Sequence, residues 1–108
     1  MFPGLEALPG DPRVRKIKYN ALIHDSSDLD QQLRSRGIDT LLIAGTLTNV
    51  CCEATARDAM MLDYKVAMLS DCNATMTDEE HAASLNTIAM FFGDVMTADQ
   101  AIERLAAA

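Results

Sequence analysis

The amino-acid sequence predicts an α/β fold of three layers, in which helices cover both faces of a parallel, Rossmann-like β-sheet. Apolar runs at residues 41–44 and 66–69 alternate with segments that carry helical capping signals and helical periodicity. A continuous apolar run is typical of a strand that is covered on both faces. Strands that alternate with helices are joined by right-handed crossovers, which keep the strands parallel.

Length and composition fit one small domain over residues 1–108. Hydrophobic residues make up 49% of the 108 positions and charged residues 23%, which is an ordinary globular balance. The net charge of −7 argues against a nucleic-acid partner and against an anionic membrane surface, because both require basic residues. No apolar stretch approaches the roughly 20 residues of a transmembrane helix.

The cysteines and the first residues predict a reduced, cytoplasmic protein. Three cysteines are present, and two of them, Cys51 and Cys52, are adjacent. Neither a disulfide framework nor a zinc site has this spacing. The first ten residues contain two Pro and two Gly, and they lack the apolar core of a secretion signal.

The first third of the chain is predicted to hold an arm, a strand and a helix. Residues 1–12 are rich in Pro and Gly and form an irregular arm. Residues 13–19 are predicted to form a strand from their partial alternation of apolar side chains. Ser27 is followed three residues later by Asp30, which is typical of a helix N-terminus, and Gly37 suits the position just after the helix.

The middle third is predicted to be strand, turn, helix and strand. The run at 41–44 is the first of these strands, and Thr48 or Asn49 is predicted to cap the helix that follows. This helix ends next to Asp63, which is expected in the left-handed conformation that Asp adopts more readily than most residues. The next strand covers residues 65–70.

The last third is predicted to contain two helices separated by a short strand at residues 94–96. Thr77 and Thr97 are each followed by Glu or Gln three residues later, and each opens a helix with a capping box. The first of the two helices runs to about Phe91. Spacings of three and four predict these inward-facing residues: Ala82, Leu85, Ala89 and Phe92 in the first helix, and Ala101, Ile102 and Leu105 in the second.

Cys51 is the candidate reactive residue, because it follows a buried strand and lies in the first turn of a helix. In open parallel sheets, ligands bind at the carboxyl ends of the strands. Free backbone N–H groups and the helix dipole also favour a thiolate there. A buried core cysteine is the alternative for Cys51, and Cys52 and Cys72 are expected to be structural.

Residues 45–59 read Gly-Thr-Leu-Thr-Asn-Val-Cys-Cys-Glu-Ala-Thr-Ala-Arg-Asp-Ala. They resemble the nucleophile segment of the isochorismatase-like cysteine hydrolases, approximately Gly-x-x-Thr-Asn-x-Cys-Val-x-x-Thr-Ala-Arg-Asp-Ala, with Cys52 in place of valine. Residues 16–22 likewise resemble the family's Lys-x-Arg-Tyr-Ser-Ala-Phe, which carries the catalytic lysine. Here Lys18, Asn20 and Leu22 stand for its arginine, serine and phenylalanine.

The resemblance implies an isochorismatase-like hydrolase fold and the residues of its site. Cys51 is the implied nucleophile and Lys16 helps to hold its thiolate. The backbone N–H groups of Leu47 and Cys51 form the implied oxyanion hole, and the Thr46–Leu47 peptide bond is expected to be cis. The implied reaction is hydrolysis of a small amide or carbamoyl C–N bond. The family also includes vinyl-ether hydrolases of isochorismate.

Further positions match the family and have a structural explanation beside the functional one. They are Thr48, Asn49, Arg57, Asp58, Asp71 and His81. Arg57 and Asp58 are expected to brace helix and loops through ion pairs, and Asp71 to fix a loop by accepting backbone hydrogen bonds. Because His81 and His24 are distant in sequence, the metal site of the nicotinamidase branch is not expected, and neither is a cofactor.

The resemblance covers roughly residues 9–105 but only the C-terminal half of the family fold. The family's general base is an aspartate in an Asp-x-Gln-x-x-Phe-like segment, which has no counterpart here, since Asp11 has the wrong context. A partial domain, truncated on its N-terminal side and with impaired hydrolysis, is therefore expected. Its apolar sheet edge would favour a homo-oligomer or a complementing chain. The alternatives are a non-catalytic oligomerisation module and, more weakly, a redox thiol pair.

Overall fold

The computed structural model describes residues 3–108. It contains the strands β1 (Thr40–Thr46), β2 (Lys65–Ala74) and β3 (Asp94–Met96), and the α-helices α1 (Leu29–Ser35), α2 (Glu53–Met61), α3 (Asp78–Phe91) and α4 (Ala98–Ala107). A π-helical turn, Thr48–Cys52, leads directly into α2. The predicted arm has neither helix nor strand over residues 3–12, and its first two residues lie outside the described residues. No helix within the described range has the length and apolarity to cross a membrane.

The three strands form one parallel sheet in the order β1-β2-β3. The apolar residues of β2 alternate between the two faces of this sheet. Val66 and Met68 pack with α2 and α3 on one side, and Ala67 packs with α4 on the other. The architecture is therefore α/β/α in three layers, which confirms the predicted fold class.

The larger core lies between the sheet and the helices α1, α2 and α3. Ala56 and Ala59 of α2 are fully buried, and their small side chains let this helix approach the sheet closely. The end of α3 also comes close to the sheet, because a Cβ at Gly93 would lie only 2.4 Å from the Val66 carbonyl oxygen. The buried members of this core are Leu22, Cys52, Ala56, Ala59, Tyr64, Val66, Met68 and Ile88.

Local sequence signals set the helix ends. Gly37 after α1 and Asp63 after α2 have φ values of +69° and +70°, so both left-handed residues lie where they were predicted. After α2 the Tyr64 N–H donates to the Ala59 carbonyl at 2.9 Å, which closes a Schellman motif.

Hydroxyl side chains accept hydrogen bonds from backbone N–H groups at the helix starts. Thr77 and Thr97 each accept a hydrogen bond from the backbone N–H three residues later, and Thr97 makes the complete capping box. Before α1 the Ser27 hydroxyl accepts from the Leu29 N–H at 3.0 Å. The N-cap position itself is Asp28, one residue later than the sequence predicted.

The strand predicted over residues 13–19 does not form. The Ile17 N–H donates to the Ser26 carbonyl at 3.1 Å and the Lys18 N–H donates to the Ser26 hydroxyl at 3.2 Å. Both bonds therefore go to one residue of a loop. A strand is stabilised by a ladder of hydrogen bonds to a neighbouring strand, and no strand runs beside this segment within residues 3–108.

The buried stripe of α3 differs from the predicted one. It is centred on Ser84 and Ile88, which are 4% and 0% exposed. Of the predicted set, Leu85 and Phe92 are half-buried, and Ala82 and Ala89 are exposed. Apolar periodicity missed Ser84 because its hydroxyl is buried with two hydrogen-bond acceptors, the Glu53 carboxylate and the Thr48 carbonyl.

Among residues 3–108, the second face of the sheet is covered only by α4. Ala101 is buried as predicted, but Ile102 and Leu105 are 63% and 65% exposed, and Leu42 of β1 is 42% exposed. The predictions that Ile102 and Leu105 face inward and that β1 is covered on both faces are therefore wrong for this chain. Periodicity identifies the apolar side of an element, but it does not show whether another element covers that side.

Candidate active site

The carboxyl end of β1 turns sharply into the helix that carries Cys51. The Thr46–Leu47 peptide bond is cis, as predicted, and Gly45 has a φ of +130°, which favours glycine. The Leu47 carbonyl oxygen accepts hydrogen bonds from two N–H groups of the next turn, those of Val50 and Cys52, both at 3.2 Å. These bonds begin the π-helical turn, and they place Cys51 at the carboxyl edge of the sheet.

The two adjacent cysteines lie in different environments. Cys52 is 5% exposed and belongs to the larger core, whereas Cys51 is half-buried. Burial raises the pKa of the Cys52 thiol to about 11, the neighbouring Cys51 adds to the rise, and Lys16 opposes it. Cys52 is therefore a protonated core residue at neutral pH, in keeping with the valine that it replaces.

The positive charge of Lys16 lowers the pKa of the Cys52 thiol, against the larger effects of burial and of Cys51. The Lys16 Nζ donates to the carbonyl oxygens of Lys18 at 2.8 Å and Tyr19 at 3.3 Å. The same loop lines an open depression of about 570 Å³. Within residues 3–108, no hydrogen bond joins Lys16 to Cys51, so the ammonium is held by the carbonyl groups of its own loop.

Asn20 fastens the lysine loop to α2. Its Nδ2 donates to the Asp58 carboxylate at 2.6 Å and to the Ala54 carbonyl at 3.0 Å. The Ala21 N–H donates to the Thr55 hydroxyl at 3.1 Å. The helix that follows the thiol therefore also holds the loop that carries Lys16, and the Asp58 side chain is one of the anchors.

Arg57 joins α2 to the end of α3. Its guanidinium forms an ion pair with Glu53 at 2.9 Å and lies 4.6 Å from the centre of the Phe92 ring. Glu53 in turn accepts a hydrogen bond from the Ser84 hydroxyl at 2.6 Å. These contacts brace one helix against the other.

Neither Thr48 nor Asn49 caps the helix, which overturns the prediction that one of them does. The fully buried Thr48 hydroxyl lies 2.8 Å from His81 Nδ1, and His81 Nε2 lies 3.1 Å from the Ser70 carbonyl oxygen. The Asn49 carboxamide oxygen accepts from the Thr75 hydroxyl at 2.6 Å. Both side chains are therefore bonded to residues that follow β2 in sequence, and neither is bonded to the start of the helix.

Asp71 of β2 lies beside the start of α4. Its carboxylate accepts a hydrogen bond from the Ala98 N–H at 2.9 Å. It thus ties the end of β2 to α4 and makes the kind of backbone contact that its position predicts.

Asn73 is a residue that the sequence reasoning missed. The β1–β2 register shifts between the pairs Ile43–Met68 and Gly45–Asn73. Asn73 Nδ2 spans this irregularity, donating to the Ile43 carbonyl at 3.0 Å and to the Leu69 carbonyl at 2.7 Å. No local sequence signal announces such a bridge, because its partners belong to two strands.

The aspartate that precedes the lysine segment in sequence bonds within its own turn. Asp11, the nearest aspartate to the lysine segment on its N-terminal side, accepts a hydrogen bond from the Leu8 N–H at 2.8 Å. No carboxylate within residues 3–108 is hydrogen bonded to Cys51. The same residues contain no group of three His, Cys, Asp or Glu side chains that could hold a metal ion.

Comparison with known proteins identifies relatives that match most of the chain. The family model of the isochorismatase domain matches residues 1–100. The ureidoacrylate amidohydrolase RutB of Variovorax paradoxus is 40% identical over 101 residues, which cover 93% of this chain and 39% of that protein.

Two solved structures share the fold. An isochorismatase-like hydrolase from Alkaliphilus metalliredigens superposes with a TM-score of 0.89 at 39% identity, over 96% of this chain and 56% of that one. A cysteine hydrolase from Pseudomonas syringae pv. phaseolicola superposes with a TM-score of 0.86 at 39% identity, over 94% of this chain and 52% of that one. The chain therefore spans about half the length, or less, of these relatives.

Proposed function

Because this chain belongs to the isochorismatase family, we propose that its 108 residues form a partial hydrolase domain that carries the thiol part of a cysteine hydrolase site. The observation that supports this most directly is the contrast between the two adjacent cysteines. Cys52 is committed to the core, whereas Cys51 lies half-buried at the sheet's carboxyl edge with Lys16 nearby. A thiol so placed can meet a substrate, and a positive charge beside it favours the thiolate.

The proposed reaction is cleavage of a C–N bond in a small amide or carbamoyl compound. The Cys51 thiolate attacks the carbonyl carbon, and the carbonyl electrons move to oxygen as the C–S bond forms. The backbone N–H groups of Leu47 and Cys51 are proposed to stabilise this oxyanion. The C–N bond then breaks, the nitrogen leaves with a proton, and water hydrolyses the thioester to regenerate the thiol.

The base that takes the thiol proton is proposed to come from outside residues 3–108. Thr48, Asn49, Arg57, Asp58 and Asp71 are proposed as supporting residues. Their contacts support this, because each holds a loop or helix of the site through hydrogen bonds or ion pairs. Without a base, hydrolysis is expected to be slower by about 10²–10⁴-fold, the usual contribution of general acid–base help.

The small-amide proposal draws on relatives as well as on geometry. One relative is named a ureidoacrylate amidohydrolase and a structural neighbour is named a cysteine hydrolase. The turn that would face the substrate carries no charged side chain between Gly45 and Cys52. A small neutral amide or ureido group is therefore the proposed substrate class.

The competing proposal is a non-catalytic oligomerisation module that keeps the fold without the chemistry. The lack of a hydrogen-bonded carboxylate at Cys51 within the described residues favours it. A homo-oligomer or a complementing chain is proposed under either function, since Ile102, Leu105 and Leu42 leave apolar surface exposed.

Intact-mass spectrometry of the chain with a small ureido or carbamoyl substrate separates the two proposals. The hydrolase proposal predicts an acyl adduct that peptide mapping locates at Cys51 and that Cys51→Ser abolishes. Cys72→Ser is the matched control, because Cys72 is also free but lies exposed after β2's apolar part, and it should leave the adduct intact. No adduct in either the wild type or the Cys72→Ser variant would favour the oligomerisation module.

A further inference from the structure

We propose that His81 is a positioning residue for Cys51 and that it acts through Thr48. The inference rests on the proposed function only in taking Cys51 as the reactive thiol. His81 lies in the first turn of α3, far from Cys51 in sequence, and neither the thiol nor the substrate need touch it. Its role would be to hold the turn on which the thiol is carried.

The imidazole joins two elements through both of its ring nitrogens. His81 Nδ1 lies 2.8 Å from the Thr48 hydroxyl and Nε2 lies 3.1 Å from the Ser70 carbonyl oxygen. A carbonyl oxygen can only accept a hydrogen bond, so Nε2 carries the proton. In the neutral ring Nδ1 then accepts from the Thr48 hydroxyl, and the geometry selects one tautomer.

Thr48 is held at both its side chain and its backbone. Its hydroxyl meets His81, while its carbonyl accepts hydrogen bonds from the Ser84 hydroxyl at 3.3 Å and from the Glu53 N–H. The residue is 0% exposed. Thr48 begins the π-helical turn in which Cys51 is the fourth residue, so a shift of Thr48 moves the thiol relative to β1.

Loss of the imidazole leaves the buried Thr48 hydroxyl without its hydrogen-bond partner and removes a donor from the Ser70 carbonyl. Such groups are costly to bury without partners, so the turn must rearrange or admit water. A residue that merely filled space at position 81 would give neither a fixed tautomer nor an energetic coupling to Thr48. These two properties distinguish positioning from packing.

The test is the iodoacetamide alkylation rate of Cys51 near pH 7, measured by peptide mapping in His81→Ala, Thr48→Val and the double variant. Each single change is expected to slow alkylation by about five- to tenfold, the worth of one net hydrogen bond. The double variant should be no slower than either single variant, because both changes remove the same link. His81→Gln, which keeps a donor and an acceptor, should recover part of the rate.

Thr87→Val is the matched control, since the Thr87 hydroxyl bonds only within α3, to the Ala83 carbonyl, and it should leave the rate unchanged. Nitrogen NMR of the wild-type imidazole at pH 8 should show the proton on Nε2. Additive losses in the double variant, or a proton on Nδ1, would overturn the inference. A wild-type Cys51 that reacts no faster than Cys72 would instead contradict the proposed function, and the NMR result would still decide the His81–Thr48 link.

Discussion

The two faces of the β-sheet differ in how completely this chain covers them. On the closed face, Val66 and Met68 lie beneath α2 and α3 in a core of eight buried residues. On the open face, the buried core has only three members, Ala67, Met96 and Ala101. The helix that follows Cys51 and anchors the lysine loop belongs to the closed face. The framework of the proposed site can therefore form even though the other layer is left largely uncovered.

The two faces therefore have different roles: one stabilises the fold, and the other offers apolar surface for association. The closed face supplies burial and polar bracing, such as the Arg57–Glu53 pair and the Asn20–Asp58 bond. The open face retains apolar side chains on β1 and α4 that stay largely exposed among the described residues, such as Leu42 and Leu105. We expect substitutions on the two faces to behave differently, first in stability and then in association.

The largest effect is expected from a matched pair of Ile→Ala changes. Ile88 on the closed face is 0% exposed and Ile102 on α4 is 63% exposed. Ile88→Ala should lower the free energy of unfolding by about 2–5 kcal/mol, because it removes buried methyl groups and leaves a cavity. Ile102→Ala should change it by no more than about 0.5 kcal/mol. Urea titration measures both, and equal losses would mean that the open face is covered in solution.

The next effect is a pH dependence of the free energy of unfolding, which originates at Cys52 on the closed face. Burial first, then the neighbouring Cys51, raises the folded-state pKa of Cys52 from 9.0 to about 11, so the folded state holds this proton more tightly than the unfolded state does. The stabilisation is complete below about pH 9 and is lost as the pH rises toward 11. Between pH 9 and pH 11 the free energy of unfolding should therefore fall by about 2–3 kcal/mol more for the wild type than for Cys52→Val.

Tyr64 is present in both proteins of that comparison. Burial and Asp30 raise its pKa to about 12, so its contribution cancels between the wild type and Cys52→Val. Identical pH profiles of the two proteins would show that Cys52 is not the source of the effect.

A smaller effect is expected where the lysine loop meets α2. Asn20→Ala removes the hydrogen bonds to Asp58 and Ala54, and it should lower the free energy of unfolding by about 1–2 kcal/mol. Hydrogen exchange over residues 16–22 should become faster while α3 keeps its protection. Asn86→Ala, at an exposed position of α3, is the control, and it should change neither the free energy of unfolding nor the exchange over residues 16–22. Unchanged exchange in Asn20→Ala would mean that other contacts hold the loop.

The smallest effect on stability, but the clearest on association, is expected on the open face. Leu105→Glu should alter the free energy of unfolding by only about 0.5 kcal/mol. It should weaken self-association, measured by sedimentation velocity, by at least about tenfold, because it places a charge in an apolar contact. Met90→Glu is the control on α3, where Met90 is 70% exposed. An equal effect of both changes would contradict assembly through the open face.

The sequence was most informative where the signal is local. Gly37, Asp63 and Thr97 each determine a helix end through their own backbone preference or side chain, and all three lie where they were predicted. The order of strand, turn and helix around Cys51 was also predictable, because its signals are contiguous.

The sequence was least informative where structure depends on a distant partner. The segment 13–19 has strand-like residues but no neighbouring strand, and Ile102 has an apolar position but no cover. The Thr48–His81 link joins residues 33 positions apart, and neither capping rules nor periodicity can announce it. The Asp-x-Gln-x-x-Phe-like segment of the family has no counterpart in this sequence.

The most direct test of the account is the pH dependence of iodoacetamide alkylation at the three cysteines of the folded chain, resolved by peptide mapping. An activated site predicts that Cys51 reacts fastest of the three at pH 7. Cys72 should gain rate between pH 7 and pH 9, because desolvation and the neighbouring Asp71 carboxylate raise the pKa of its thiol and keep it protonated at pH 7. Cys52 should stay unreactive over that range. If all three thiols react alike, or if Cys51 reacts only after unfolding, the thiol site is not formed and the oligomerisation module becomes the better account.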